Sequence, residues 1–507
     1  MSYATAYYDA SAYTQYSRAS DTTYGLTASS FIKDDKDDGR SSIAPKAVMV
    51  MAAIVVFLLA TATIMLLALG SGSQPSTVTT ETDDAKAAVN VVYRRDVKPE
   101  LRTRAPLRTR APLRTHAPAA PTALKYPYRE MIVDEPLVCT VGSKINSTQM
   151  LPPDRLCDYI FYDSLYKGYE NPLTAPTGFS TDVRIFVDAY PMYQATAFGV
   201  GIAHTAASLF GSHLNLPHTP FEPLRPFWHH GIFHFGVLDT DTVDMLKADV
   251  IGALECLRAL NDKSREMRAQ GVKTLTFFAA AVPNETWAKI LVDNFQKIYE
   301  PNLFVAIGHY VRGDNTLRDC RIMPPTAPVR PADAQTSYQH DLTSAVQGIF
   351  TLWATRSATK FALSVTLKGR YAVPAQKGLL SFLDSCLSNV SVESFGSYAE
   401  VCKSPDFSTR LYRSSRLDAT QVRHNNGSLV FSYDDRAGLV RKLCSLSAHI
   451  PSLKFGIAVF DVDYADFSNA CATQRGPFST LRGLRRVLDF FKSTNLTSRT
   501  ECVDQAT

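Results

Sequence analysis

Six of the eleven histidines fall between His204 and His234 (His204, His213, His218, His229, His230 and His234), and Asp239, Asp241 and Asp244 follow at once. Imidazoles gathered this closely suggest zinc. However, no H-x-x-x-H helix and no cysteine partner accompanies them, so neither a metal nor a cofactor is expected. The aspartates could serve as general acids, although loop and helix-capping roles are the plainer reading. Asp461, Asp463 and Asp466 read in the same way, as hydrogen-bonding and capping groups rather than a dyad. Two modification chemistries are also written in the chain. All nine cysteines lie at or beyond Cys139, and the five N-x-S/T sequons (Asn146, Asn284, Asn389, Asn426 and Asn495) lie on the same side. An oxidising, glycosylating compartment would suit both.

From about Lys125 onward the composition is globular. Short apolar runs recur at Leu137–Val141, Tyr159–Tyr162, Gly199–Ala203, Gly231–Leu238, Thr274–Ala281, Leu303–Ile307, Phe361–Leu367 and Phe455–Phe460. Helical patterns separate several of them, as at Thr242–Arg268, Thr286–Ile298 and Leu439–Ser447. Buried runs alternating with amphipathic helices predict an α/β domain with a parallel sheet. The pattern leaves a closed barrel and an open sheet equally possible.

The first 124 residues have a different character. Residues 1–46 are rich in Tyr, Ser, Thr and Asp with almost no aliphatic side chains, which predicts a disordered cytosolic tail. Ala47–Leu69 is apolar and uncharged over 23 residues, long enough for a helix to cross a bilayer. Lys33, Lys36, Arg40 and Lys46 precede it. By the positive-inside rule the N-terminus stays inside, giving a single-pass type II signal-anchor in the plasma membrane or a secretory-pathway membrane. Residues 70–124 contain LRTRAP, LRTRAP and LRTHAP in succession. A proline at every sixth position predicts an extended stalk. Between Arg94 and Arg114 eight basic side chains stand against Asp96 and Glu100, an excess of six beside the +5 of the whole chain. The basic balance is therefore a property of the stalk, and nucleic acid is not an expected partner.

The C-terminal run FGIAVFDVDYADFSNAC (Phe455–Cys471) resembles the last barrel strand of family 18 glycoside hydrolases, the chitinases and chitinase-like lectins. SYAEVC (Ser397–Cys402), SYDD (Ser432–Asp435), KFALSVTLKGRY (Lys360–Tyr371) and AIGHYVRG (Ala306–Gly313) are similar to that family's segments in the same order. At the front, LVCTVG and LCDYIFY resemble strands one and two. The resemblance covers roughly residues 135–492 and implies a (β/α)8 TIM barrel with insertions, occupying 125–507. It also implies two disulfides, Cys139–Cys157 and Cys402–Cys471. Cys256, Cys320, Cys386, Cys444 and Cys502 are left over. Five is odd, so one is free or pairs between chains.

Enzymes of that family cleave β-1,4-linked N-acetylglucosamine with a Glu at the end of strand four, positioned by the ladder D-x-x-D-x-D-x-E. No such ladder occurs here. Aligned on HGIFHFGVLD (His230–Asp239), its positions become His230, Phe233, Phe235 and Val237, and no Glu lies between Glu222 and Glu255. Asp239 is the best-placed substitute. The family's strand-eight Trp is Phe460, its strand-six residues become Ile307 and His309–Tyr310, and Arg370 belongs to the strand-seven Gly-Arg. Phe460, His309, Tyr310 and Arg370 are the ligand-binding candidates. The expectation is a type II membrane glycoprotein displaying an inactive chitinase-like domain that binds a glycan or a protein. Its alternatives are an active membrane-anchored hydrolase using Asp239, and a receptor or scaffold that binds no sugar.

Overall fold

β1 (Leu137–Val141) is flanked on one side by β2 (Tyr159–Leu165), and each later strand lies parallel to the one before it. β3 (Ala197–Ile202), β4 (His234–Thr240), β5 (Thr276–Ala281), β6 (Leu303–Ile307) and β7 (Lys360–Thr366) continue around. In this computed structural model, residues 133–167, 179–215, 224–240, 247–330, 338–355, 357–449, 454–471, 476–493 and 499–506 are described. Between β7 and the last barrel strand the chain builds a second, antiparallel sheet. Its strands are β8 (Gly369–Ala372), β9 (Phe395–Gly396), β10 (Tyr412–Ser414), β11 (Ala419–Arg423) and β12 (Val430–Tyr433), ordered β10-β11-β12-β8-β9. β13 (Gly456–Phe460) then pairs with both β7 and β1 and closes an eight-stranded barrel. Each of the eight apolar runs in the sequence supplies one barrel strand.

Two hydrophobic layers hold this together. Val138, Tyr159, Phe161, Leu238, Phe277, Val305, Ile307 and Phe460 fill the barrel interior. The opposite faces of the strands pack under the helices, as where Phe235 and Val237 join Val250, Ala253 and Leu257 of the helix Lys247–Lys263. Phe161 needs its neighbour to be glycine: a Cβ on Gly199 would lie 2.4 Å from the Phe161 ring. Helix starts are capped locally. Asp341 accepts from the Ser344 N–H at 2.8 Å, and Asn284 accepts from the Trp287 N–H at 3.1 Å; such caps contribute about 1 kcal/mol each.

Four disulfides cross-link the domain. Cys139–Cys157 ties β1 to the approach of β2, and Cys402–Cys471 ties the inserted segment to the loop beyond β13. Cys320–Cys386 and Cys444–Cys502 account for four of the five remaining cysteines. Cys256 is reduced and buried in the helix Lys247–Lys263, with no surface to offer a second chain.

The membrane span is not borne out. Among the described residues no helix is long and apolar enough to cross a membrane. The longest, Lys247–Lys263 at 17 residues, carries charges along its outer side and turns its apolar side to the barrel. Ala47–Leu69, the 1–46 tail and the 70–124 stalk lie outside the described residues. The single-pass type II arrangement, its membrane partnership and its location are accordingly not supported.

Candidate functional site

In barrels of this type, reactive groups gather where strands end at the carboxyl face. At that face a charged network joins β13, β7, β2 and β1. Asp461, the first residue beyond β13, adopts a left-handed backbone (φ 56°). This turn lets its N–H donate to Thr140 Oγ1 of β1 at 3.1 Å. Its carboxylate accepts from Thr366 Oγ1 of β7 at 2.7 Å and pairs with Lys368 Nζ at 2.6 Å. Lys368 also lies over two rings, Phe395 at 4.8 Å and Tyr464 at 5.0 Å. Burial alone would raise the Asp461 carboxyl. The Lys368 ammonium and the Thr366 hydroxyl outweigh it, so Asp461 titrates below the ordinary carboxylate range. Burial likewise disfavours the Lys368 ammonium, but Asp461 and Asp463 hold its pKa above the usual lysine value.

Two further carboxyls behave oppositely. Asp163, in β2, is pushed up to about 6 by burial, with Lys167 the chief opposing charge and Asp239 and Asp461 adding to the rise. Asp463 is pushed up to about 6 by burial and then by Asp461. Each leaves its Oδ1 buried without a hydrogen-bond partner, as does Ser164 at Oγ. Gly201 of β3 locates part of this cluster: a Cβ there would lie 3.4 Å from Ser164 Cβ and 3.6 Å from Asp163 Oδ1. The network was not foreseen from the sequence. Its signals were a lone Asp inside the apolar run YIFYDSL and a Lys two residues past the end of β7, opposite an Asp just past β13.

β4 differs from the sequence alignment by one residue. The expected ladder positions Phe235 and Val237 face the helices, not the barrel, and the side chain between them and the mouth is Leu238, which lies in the interior. Phe233 precedes the strand, and His230 ends the helix Arg225–His229, with its Nδ1 2.7 Å from the Pro226 carbonyl. Both faces of a barrel strand are apolar, so alternation carried no polarity by which to set the register. Asp239 does reach the mouth. Its Oδ1 accepts the His204 N–H at 2.8 Å and lies 3.3 Å from His204 Nδ1, capping the helix His204–Asn215. Asp241 and Asp244 lie outside the described residues.

The ligand-binding candidates are buried in the structure. Phe460 is 5% exposed and its ring lies 4.8 Å from that of His309, itself 3% exposed with Nδ1 2.7 Å from Ser364 Oγ. Tyr310 packs edge-on to Tyr338 at 5.3 Å. Arg370, 1% exposed, grips Asp314 through Nη2 at 2.6 Å and Nε at 3.3 Å, and donates to the carbonyls of Tyr310 and Arg312. Each of the four is at most 5% exposed. His234, at the foot of β4, accepts the Leu275 N–H through Nδ1 at 3.1 Å, and burial lowers its pKa to about 4, so it is neutral. Among the described residues no three His, Cys, Asp or Glu side chains are placed to hold a metal. Asp466 accepts the Ala470 and Cys471 N–H groups at 2.7 and 2.9 Å, a loop-shaping role. Asn146, Asn284, Asn389 and Asn426 are exposed, and Asn495 lies outside the described residues.

No protein-family model and no curated protein matches the sequence. Solved structures do match. An immunomodulatory active chitinase from Trichuris suis, TsES1, superposes with a TM-score of 0.51 at 13% identity, covering 71% of this chain and 100% of its own. A Group IV chitinase of Ostrinia furnacalis, complexed with allosamidin, gives 0.50 at 14% identity over 70% of this chain and 99% of its own. Human YKL-39, a pseudo-chitinase with retained chitooligosaccharide binding, gives 0.50 at 12% over 69% and 99%. At such identities the likeness concerns the fold alone. The barrel of this chain has the chitinase fold.

Proposed function

We propose that this chain is a non-hydrolysing protein of chitinase fold, in which the barrel serves as a rigid platform rather than a reaction vessel. One observation carries the reading: β4 brings no glutamate to the mouth, and the carboxylate that ends it, Asp239, is taken up by the backbone and ring of His204. Glycoside cleavage needs a group that delivers a proton to the leaving oxygen. A carboxylate held as acceptor for a backbone N–H is poorly disposed to do so, and Asp is one methylene shorter than Glu. The burial of Phe460, His309, Tyr310 and Arg370 supports a platform over a lectin. YKL-39 illustrates that the fold tolerates loss of hydrolysis.

A second reading has its own support. Asp163 and Asp463, both titrating near 6 at the mouth, are the kind of carboxyl an acid catalyst requires. Release of fluorophore from 4-methylumbelliferyl chitobioside and chitotrioside between pH 4 and 8 separates the two. The platform reading expects no release above the buffer rate. Turnover that Asp163→Asn or Asp463→Asn abolishes would establish the second reading instead.

A further inference from the structure

The inserted sheet ends in a hairpin, β10–β11, that gathers arginines without acids to match. Arg423 lays its guanidinium carbon 3.8 Å from the centroid of the Tyr412 ring, and Arg410 places its own at 5.0 Å from the same ring. Arg410, Arg413 and Arg416 are exposed, and Arg423 is half-buried. Two nearby carboxylates, Asp418 and Asp435, are engaged elsewhere. Asp418 pairs with Arg441 at 2.6 Å. Asp435 accepts from Thr420 Oγ1 at 3.0 Å and from the Gly438 N–H at 2.7 Å, and reaches only Arg413, at 3.5 Å. No described carboxylate lies within ion-pair distance of Arg410, Arg416 or Arg423.

Arg410 and Arg423 share one ring and repel one another, a cost an arriving anion would relieve. Guanidiniums already laid against a ring also lose less rotamer freedom on binding, and their planar forks match the oxygens of sulfate or phosphate two at a time. β10 is the edge strand of its sheet, so the patch is open to a long ligand. The patch is local, since the excess charge of the chain resides between Arg94 and Arg114; a nucleic acid would be drawn by a broader basic field. Four disulfides fit an oxidising compartment, in which a sulfated polysaccharide is the natural polyanion. We infer that the β10–β11 hairpin is a binding surface for a sulfated polysaccharide, with Arg410 and Arg423 engaging sulfates around Tyr412 and Arg416, in the turn between the two strands, adding charge. This surface is separate from the barrel mouth and stands whether or not the barrel hydrolyses anything.

Immobilised heparin is the probe, read by surface plasmon resonance on the full-length chain. Because the segment Arg94–Arg114 is itself basic, a background variant carries Arg102→Ala, Arg104→Ala, Arg108→Ala and Arg110→Ala. This background is expected to keep salt-sensitive heparin binding. Adding Arg410→Ala with Arg416→Ala, both at exposed positions, should weaken it at least tenfold without moving the melting temperature. Arg410→Lys with Arg416→Lys, which keeps the charge but loses the fork, should fall between. Arg413→Ala, whose side chain faces Asp435, should change affinity less than twofold. Loss of all binding in the background variant would overturn the inference. Binding unchanged by the Arg410/Arg416 pair would do the same, as would equal binding to de-sulfated heparin, polyglutamate or phosphatidylserine vesicles.

Discussion

Asp463 is 2% exposed, lacks a partner for Oδ1, and titrates near 6 against an ordinary value of 3.8. Its folded pKa is raised, so the native state holds the proton more tightly than the unfolded chain does. The favourable contribution is therefore complete below about pH 4 and disappears as the pH climbs through about 6. The rise from 3.8 to about 6 corresponds to at most about 3 kcal/mol missing at neutral pH. Asp463→Asn should consequently raise the melting temperature at pH 7.5 and flatten the pH dependence between 4 and 6, as followed by circular dichroism. A variant that is less stable than the parent at pH 7.5 would show that the ionised carboxylate is needed. The buried pair Arg370–Asp314 responds to substitution in the opposite direction. Arg370→Ala leaves the Asp314 carboxyl, already pushed up by burial, without its counter-charge and should cost about 3–5 kcal/mol in chemical denaturation. A cost below about 1 kcal/mol would mean that water replaces the guanidinium.

Among the elements, β4 makes the sharpest demand. Val237 is fully buried beneath the helix Lys247–Lys263. Val237→Glu, which restores a family-like acid in the register suggested by sequence, should therefore destabilise the domain by several kcal/mol and yield no activity. A stable, active Val237→Glu variant would place that side chain in the mouth. Gly199 makes a steric prediction of the same kind. Gly199→Ala must displace Phe161 inside the barrel and should cost about 1–3 kcal/mol, measured by urea unfolding. All eight barrel strands were legible because each is a short, uninterrupted apolar run. Inward and outward faces were not, because a strand buried on both sides carries no polar phase. The same limit hid the mouth network: Asp163, Lys368 and Asp461 are far apart in the chain, and only barrel closure makes Asp461 and Lys368 neighbours at 2.6 Å. Two disulfides were implied by family resemblance. Cys320–Cys386 and Cys444–Cys502, 66 and 58 residues apart, had no local signal.

Taken whole, the molecule keeps the architecture of a chitinase and fills its mouth with a buried charged network in which Asp163 and Asp463 each keep an unpartnered Oδ1, while the inserted sheet displays unmatched charge. The absence of D-x-x-D-x-D-x-E was legible in the sequence. The burial of Phe460 and Arg370 was not, since residue type alone does not reveal what covers a ring or a guanidinium. The most direct measurement is mass-spectrometric analysis of chitohexaose incubated with the full-length chain over the range pH 4–8, beside an active chitinase. A non-hydrolysing barrel leaves the hexamer intact at every pH. Shorter oligomers whose formation stops with Asp239→Asn, Asp163→Asn or Asp463→Asn would contradict it and identify the acid.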